Sequence, residues 1–336
     1  MKKYNTIVFI LRAQPVHNAH IEIIKKASRM ADKVIAIIGS SNQPRTYKNP
    51  FSSDERAVMI RSSIPELDNV YLASNTDSIY NDQAWCIRIQ EIVSKYSGNN
   101  IGIIGHEKDS SSWYLKMFPQ WDRIEVDNIV EPLDATSIRD LYFRKDFNPK
   151  FISNVVPPNV LKYLIEFKET PAYTQIIKEK EFIAVYKKQF ESLPYPPIFV
   201  TSDAIVVQSG HVLLIERKSF PGAGLWALPG GFVNAASDKS VLDAMLRELK
   251  EETKIKVPVP VLKGNIKADK VFDAISRSTR GRTITHAFYI ELPDGELPKV
   301  KGSDDAISAK WIPIGELDSS KMYEDHSEII SYFIGA

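Results

Sequence analysis

Two histidines three residues apart, His17 and His20, follow an apolar run that ends in Arg12. On the first turn of a helix, that spacing turns both imidazoles toward one point. Unpaired N–H groups and the positive dipole end there favour an anion. Arg12, at the end of the preceding strand, adds a two-pronged phosphate donor. A second constellation lies far along the chain, where Glu248, Glu251 and Glu252 share one helix face. Carboxylates so close repel unless a divalent cation offsets them, and hard oxygen ligands suit Mg²⁺ or Mn²⁺. Arg247 is placed to pair with Glu251 one turn on. Gly230 and Gly231 enter this helix, and a glycine pair is what a loop around a metal-bound pyrophosphate needs.

The chain has 336 residues, enough for two domains. Apolar content of 43% and charged content of 25% are those of an ordinary globular protein. The net charge of +1 gives no global reason to expect nucleic acid or membrane as partner, so any anion site must be local. Cys86, the lone cysteine, sits in an apolar helical pattern and excludes an internal disulfide. No apolar stretch reaches the ~20 residues of a membrane span, and a cytoplasmic protein is expected.

The first half alternates strand and helix patterns. Strands are expected at 7–11, 34–39, 70–73, 101–105 and 123–126, and helices at 18–30, from 52 onward and at 83–96. Such alternation predicts an α/β fold with a doubly wound parallel sheet and ligands at the carboxyl ends of its strands. A helix at 157–171 closes this domain, 1–172. A connecting helix and proline-rich break occupy 173–195. From 196 to 336 the texture is β-rich, with strands expected at 198–207, 212–216, 257–261, 283–292 and 309–312. One strong helix is expected at 241–253 and a final one at 325–333.

Arg12, Gln14, Pro15, His17 and His20, with 45–51 and Glu55-Arg56, resemble the histidine-x-x-histidine nucleotidyltransferases, in particular the archaeal-type nicotinamide-mononucleotide (NMN) adenylyltransferases. Thr136, Ser137 and Arg139, taken alone an ordinary helix start, resemble that superfamily's closing phosphate clamp. Leu11, Ala13 and Ala19 depart from its usual residues. The resemblance implies attack of the mononucleotide phosphate on the α-phosphorus of ATP, giving NAD and pyrophosphate. Alignment and charge stabilisation by His17, His20, Arg139 and Mg²⁺ would supply the rate. It further implies that Arg45 and Lys48 reach the phosphates from a loop, that Asn81 and Trp85 hold the nicotinamide, and that His106 and Asp109 contact the adenosine portion.

Leu228-Pro229-Gly230-Gly231 followed by Arg247-Glu248-x-x-Glu251-Glu252 resembles the Nudix hydrolases and implies an α/β/α sandwich. Glu248, Glu251 and Glu252 are then the ligands of Mg²⁺ or Mn²⁺, with Glu251 and Glu252 catalytic. ADP-ribose, cleaved to AMP and ribose 5-phosphate, is the expected substrate, with Arg277, Arg280 and Arg282 on its phosphates or ribose. Lys239 stands where the family has a glutamate, with Asp238 beside it, and Lys254 where it has a glycine. These departures motivate an alternative in which the second domain senses ADP-ribose or NAD without cleaving it. Adenylyl transfer to another acceptor, such as phosphopantetheine, is a further alternative. The oligomeric state, a homo-oligomer included, is left open.

Overall fold

The computed structural model describes residues 2–96, 98–105, 114–126 and 134–335, so the expectations for His106 and Asp109 lie outside the described residues. The chain divides into two compact units, Met1–Ile177 and Lys178–Ala336.

In the first unit, β1 (Tyr4–Leu11), β2 (Ala31–Ile38), β3 (Val70–Ser74), β4 (Ile101–Gly105) and β5 (Asp122–Glu125) form one parallel sheet in the order β3-β2-β1-β4-β5. Both faces of β1 are buried. Ile7, Phe9 and Leu11 join one apolar cluster, Val8 and Ile10 another, which is why this strand reads as an unbroken apolar run. The strand order reverses between β1 and β4, and that switch point opens a crevice beyond their carboxyl ends. α1 (Asn18–Met30) starts beside it, as the sequence predicts. α2 (Ser53–Ser63) is held by a capping box in which Ser52 and Glu55 each accept from the other's backbone N–H, at 3.2 and 2.7 Å.

In the second unit, β6 (Phe199–Gln208) is central. It pairs parallel with β11 (Thr283–Glu291) and antiparallel with β7 (His211–Arg217) and the short β9 (Gly230–Phe232). β10 (Ile266–Phe272) extends the sheet beyond β11, and β12 (Ala306–Pro313) beyond β7. α7 (Val241–Thr253) packs Met245 and Leu249 on one face, with Ala204, Val206, Phe288 and Ile290. α9 (His326–Ile334) covers the other through Phe333 against Phe272 and Tyr289. The predicted strand at 257–261 is instead a helix, α8 (Val259–Gly264). Pro258 and Pro260 lack the N–H that a ladder needs but fit a helix's first turn. The sequence reading missed β10. Among the described residues no helix is long and apolar enough to cross a membrane.

Candidate functional site

At the first crevice, His17 is the N-cap of α1, and its backbone N–H donates to His20 Nδ1 at 3.3 Å. The two rings lie 3.8 Å apart between centroids, tilted by 37°, so the i, i+3 spacing does bring both imidazoles together. Arg139, on α4 (Ala135–Tyr142), reaches back across the unit. Its Nη1 donates to Gln14 O at 2.6 Å and its Nη2 to Thr136 Oγ1 at 3.2 Å. Asp134 caps α4 by accepting from Ser137 N at 2.8 Å.

Gln14 is placed differently from the expectation. It is 1% exposed, and its amide is spent on Phe51, donating to its O at 2.8 Å and accepting from its N at 3.0 Å. Gln14 therefore fixes residues 45–51 against the histidine loop rather than meeting a substrate. Arg45 likewise forms a two-pronged pair with Glu55 at 2.6 and 2.8 Å, which raises its pKa, and donates to Pro50 O at 2.8 Å, bracing the same loop. Asn81 caps α3 (Asp82–Ser94) by accepting from Ala84 N at 3.0 Å. Trp85 packs on Tyr114 and Phe118, with centroids 6.3 and 6.2 Å away.

Three residues the sequence reading left unassigned complete the wall. Arg56, 1% exposed, donates to the carbonyls of Arg12, Gly39 and Ser40 at 2.6, 2.7 and 3.2 Å, tying the ends of β1 and β2 together. Asn49 accepts from Arg12 Nη2 at 2.6 Å. Asp77 accepts from Ser40 Oγ at 3.1 Å and its charge opposes those of Arg12, Lys48 and Arg56. Burial depresses the pKa of Arg12, Lys48, Arg56 (to about 10) and Arg139, and Arg12 depresses the other three further. Desolvated like charges of this kind are relieved by a bound polyanion.

The second site is organised by Arg247. Its Nε and Nη2 grip Asp238 at 2.9 and 2.8 Å, Nη2 also meets Phe232 O at 3.2 Å, and Nη1 holds Glu248 at 2.7 Å and Glu251 at 3.0 Å. Asp238, pulled down to about 2 by the arginine's hydrogen bonds, thus takes the arginine contact that Lys239 does not make. Glu252 is 4% exposed and accepts from Gly230 N at 2.9 Å. Burial, then the charge of Glu248, push it up to about 8 against that hydrogen bond; Glu248 is also raised, first by burial.

The expected triplet is therefore not gathered around one point. Arg247 Nη1 stands between Glu248 and Glu251 while Glu252 turns to the glycine loop, and no metal-ready group of three is found among the described residues. The glycine pair has a steric reason. A Cβ on Gly231 would lie 2.5 Å from Glu248 Oε1, and one on Gly230 would lie 2.4 Å from both Asp203 Oδ1 and Ser202 O. The loop is also fixed from behind, since His326 Nδ1 accepts from Leu228 N at 2.9 Å. Burial, then Arg277, Arg217 and Arg280, keep that imidazole neutral.

Of the three loop arginines, Arg277 is not a substrate group. It forms a two-pronged pair with Asp325 at 2.9 and 3.0 Å, both side chains 3% exposed. Arg282 donates to Asp273 O at 2.5 Å. Arg280 lies over the Phe232 ring, 4.7 Å from its centroid, and its buried Nε has no hydrogen-bond partner in the described structure.

A model of the cytidylyltransferase-like family matches residues 11–155 and one of the NUDIX domain matches 199–333. The chain is 35% identical over 179 residues to a nicotinamide/nicotinic acid mononucleotide adenylyltransferase of Acinetobacter baylyi, covering 52% of this chain and 93% of that protein. It is 33% identical over 160 residues to an ADP-ribose pyrophosphatase of Methanocaldococcus jannaschii, covering 48% and 83%. A crystal structure of a bifunctional NMN adenylyltransferase/ADP-ribose pyrophosphatase of Francisella tularensis, in complex with AMP and a manganese ion, superposes with a TM-score of 0.90 at 35% identity over 99% of both chains.

Proposed function

The chain belongs to the family of bifunctional NMN adenylyltransferases/ADP-ribose pyrophosphatases, and we propose that it carries out both reactions, one in each unit. In the first, a phosphate oxygen of nicotinamide mononucleotide attacks the α-phosphorus of ATP, the bond to the β-phosphate's bridging oxygen breaks, and NAD and pyrophosphate leave. The desolvated cations Arg12, Lys48 and Arg139, with the paired rings of His17 and His20, hold the charge that builds on the phosphoryl oxygens. The observation that carries this reading is the meeting of Arg139, from α4, with the loop that bears His17.

In the second unit, water adds to one phosphorus of ADP-ribose and the phosphoanhydride breaks, giving AMP and ribose 5-phosphate. The donor set of Glu248, Glu251 and Glu252 fits Mg²⁺ or Mn²⁺. Arg247 Nη1 already occupies a cation's place between Glu248 and Glu251, and burial raises the pKa of Glu248 and Glu252, a cost that a bound dication would offset. A bound dication supplies activation of water and neutralisation of the diphosphate. Asp238 holds Arg247, Arg247 aligns Glu248 and Glu251, and the bare Cα of Gly231 lets the Glu248 carboxylate lie against the loop. Lys239 and Lys254 do not favour a non-cleaving sensor, because Asp238 supplies the missing carboxylate and Lys254 adopts the left-handed turn, φ 48°, that the motif's glycine serves.

Paired assays on the full chain test both halves. ATP, NMN and Mg²⁺ should yield NAD, and His20→Ala should slow this by about 100-fold or more while the melting temperature shifts little. ADP-ribose with Mn²⁺ should yield AMP, and Glu251→Gln should abolish that alone. Binding of ADP-ribose without AMP release would refute the hydrolytic half.

A further inference from the structure

His286 and Asp269 belong to none of the groups assigned above. His286 Nε2 meets Asp269 Oδ2 at 2.5 Å, and the ring stacks on Phe288 with centroids 4.4 Å apart and planes 25° from parallel. A histidine so held is oriented, yet it stays accessible, with side-chain exposures of 24% for His286 and 52% for Asp269.

Strand register places the pair relative to the acidic helix. His286 is opposite Ser202 across β11 and β6, and Ser202 is opposite Gly231 across β6 and β9. Phe288 and Ile290 face α7, so alternation turns His286 to the same face, as it does Ser202 beside Ala204. Gly231 presents its Cβ direction to Glu248 on that face. Two strand spacings, about 10 Å, thus separate the imidazole's strand from the glycine under the Glu248 carboxylate. The row beyond Phe288 runs from Gly231 through Ser202 to His286, and Asp269, opposite Phe288 on β10, reaches the imidazole diagonally. A row with acids at one end and an oriented imidazole at the other matches a phosphate followed by its ribose. Arg277 and Arg282, expected to bind that part of the substrate, are engaged by Asp325 and Asp273.

We propose that His286, oriented by Asp269, hydrogen-bonds a ribose hydroxyl of the nucleoside diphosphate sugar held at α7, and so is a substrate-binding residue of the hydrolytic site. This rests on the hydrolytic reading above. Either ribose of ADP-ribose offers the same hydroxyl chemistry, and the test separates them.

The full chain and its His286→Ala, His286→Gln and Asp269→Asn variants are compared by steady-state hydrolysis of ADP-ribose with Mn²⁺ and by calorimetric titration with ADP-ribose. His286→Ala should raise KM and Kd about tenfold, equivalent to about 1.4 kcal/mol. His286→Gln should recover part of this, Asp269→Asn should show a smaller rise, and kcat should fall less than KM rises. With analogues carrying a 2,3-dideoxy ribose on the adenosine side or on the distal side, the His286→Ala penalty should vanish for one of the two, naming the ribose. Unchanged KM and Kd, or a penalty kept on both analogues, overturns the proposal. So does a melting temperature that drops along with kcat, which would make the pair a clip between β10 and β11. If the wild-type chain binds ADP-ribose without turnover, the hydrolytic reading fails while the calorimetric comparison still decides the role of His286.

Discussion

Gly231→Ala is the sharpest probe of the acidic site, because the structure sets both its size and its target. The new methyl carbon would sit 2.5 Å from Glu248 Oε1 and 2.6 Å from its Cδ, where ordinary contact begins near 3.4 Å. The carboxylate must retreat by about 1 Å, and a misplacement of that size at a reacting centre costs on the order of 100-fold in rate. It cannot retreat freely, since Arg247 Nη1 holds it at 2.7 Å and the same nitrogen holds Glu251. Moving one acid therefore moves the other. Hydrolysis of ADP-ribose, followed by AMP release under saturating Mn²⁺, should fall about 100-fold, near 2.7 kcal/mol. NAD synthesis should stay at the wild-type rate, which shows that the chain is folded. Gly230→Ala, whose methyl meets the backbone carbonyl of Ser202 at 2.4 Å, should instead destabilise the second unit. Wild-type hydrolysis by Gly231→Ala would show that the Glu248 carboxylate is not held where catalysis needs it, and the reasoning would fail.

Three further outcomes follow from single positions. Lys254 ends α7 at φ 48°, a conformation that costs a side-chain-bearing residue about 1 kcal/mol, so Lys254→Gly should stabilise the second unit by that order in urea denaturation. A loss of stability would mean that the lysine side chain contributes more than its strain. Asp238→Asn should loosen Arg247 and lower ADP-ribose turnover by about tenfold without touching NAD synthesis; an unchanged rate would make the pair incidental. Asp203, pushed up to about 6 by burial from a reference value of 3.8, favours the folded state most when protonated. Its contribution is full below pH 4 and lost as pH rises through 6, so Asp203→Asn should flatten the stability change between pH 4 and 6. An unaltered slope would show that this carboxyl titrates normally.

Much of this was legible in the sequence because local patterns and packing agree. The run through Leu11 is apolar on both faces, as a central parallel strand must be, and His17 with His20 sits where the next helix begins. Arg247 with Glu251 at i, i+4 was equally readable. What escaped depends on contacts distant in sequence. Gln14 and Arg45 look like phosphate ligands by type, yet Phe51 and Glu55 claim them, and only the folded loop shows it. Arg277 reads as a group for the substrate's phosphates or ribose until Asp325, 48 positions away, pairs with it in the interior. Asp238 could have been found from sequence: it stands next to Lys239, and a carboxylate nine residues before Arg247 still reaches it.

The two units handle phosphoanhydrides through opposite electrostatics, and that difference explains which needs a metal more. In the first, Arg12, Lys48, Arg56 and Arg139 are already positive and desolvated, so a triphosphate arriving there meets preformed counter-charge, and a metal ion has less to neutralise. In the second, Glu248 and Glu252 are acids whose pKa burial raises, and a diphosphate would be repelled from their ionised forms. Binding of substrate and cation must then be linked, each raising the affinity of the other through the same carboxylates. Arg247 is the internal cation of this site, shared between Asp238 and Glu248. Removing divalent ions should therefore silence ADP-ribose hydrolysis and weaken ADP-ribose binding together, while ATP binding at the histidine site should decline far less. Equal losses at both sites on chelation would contradict this division.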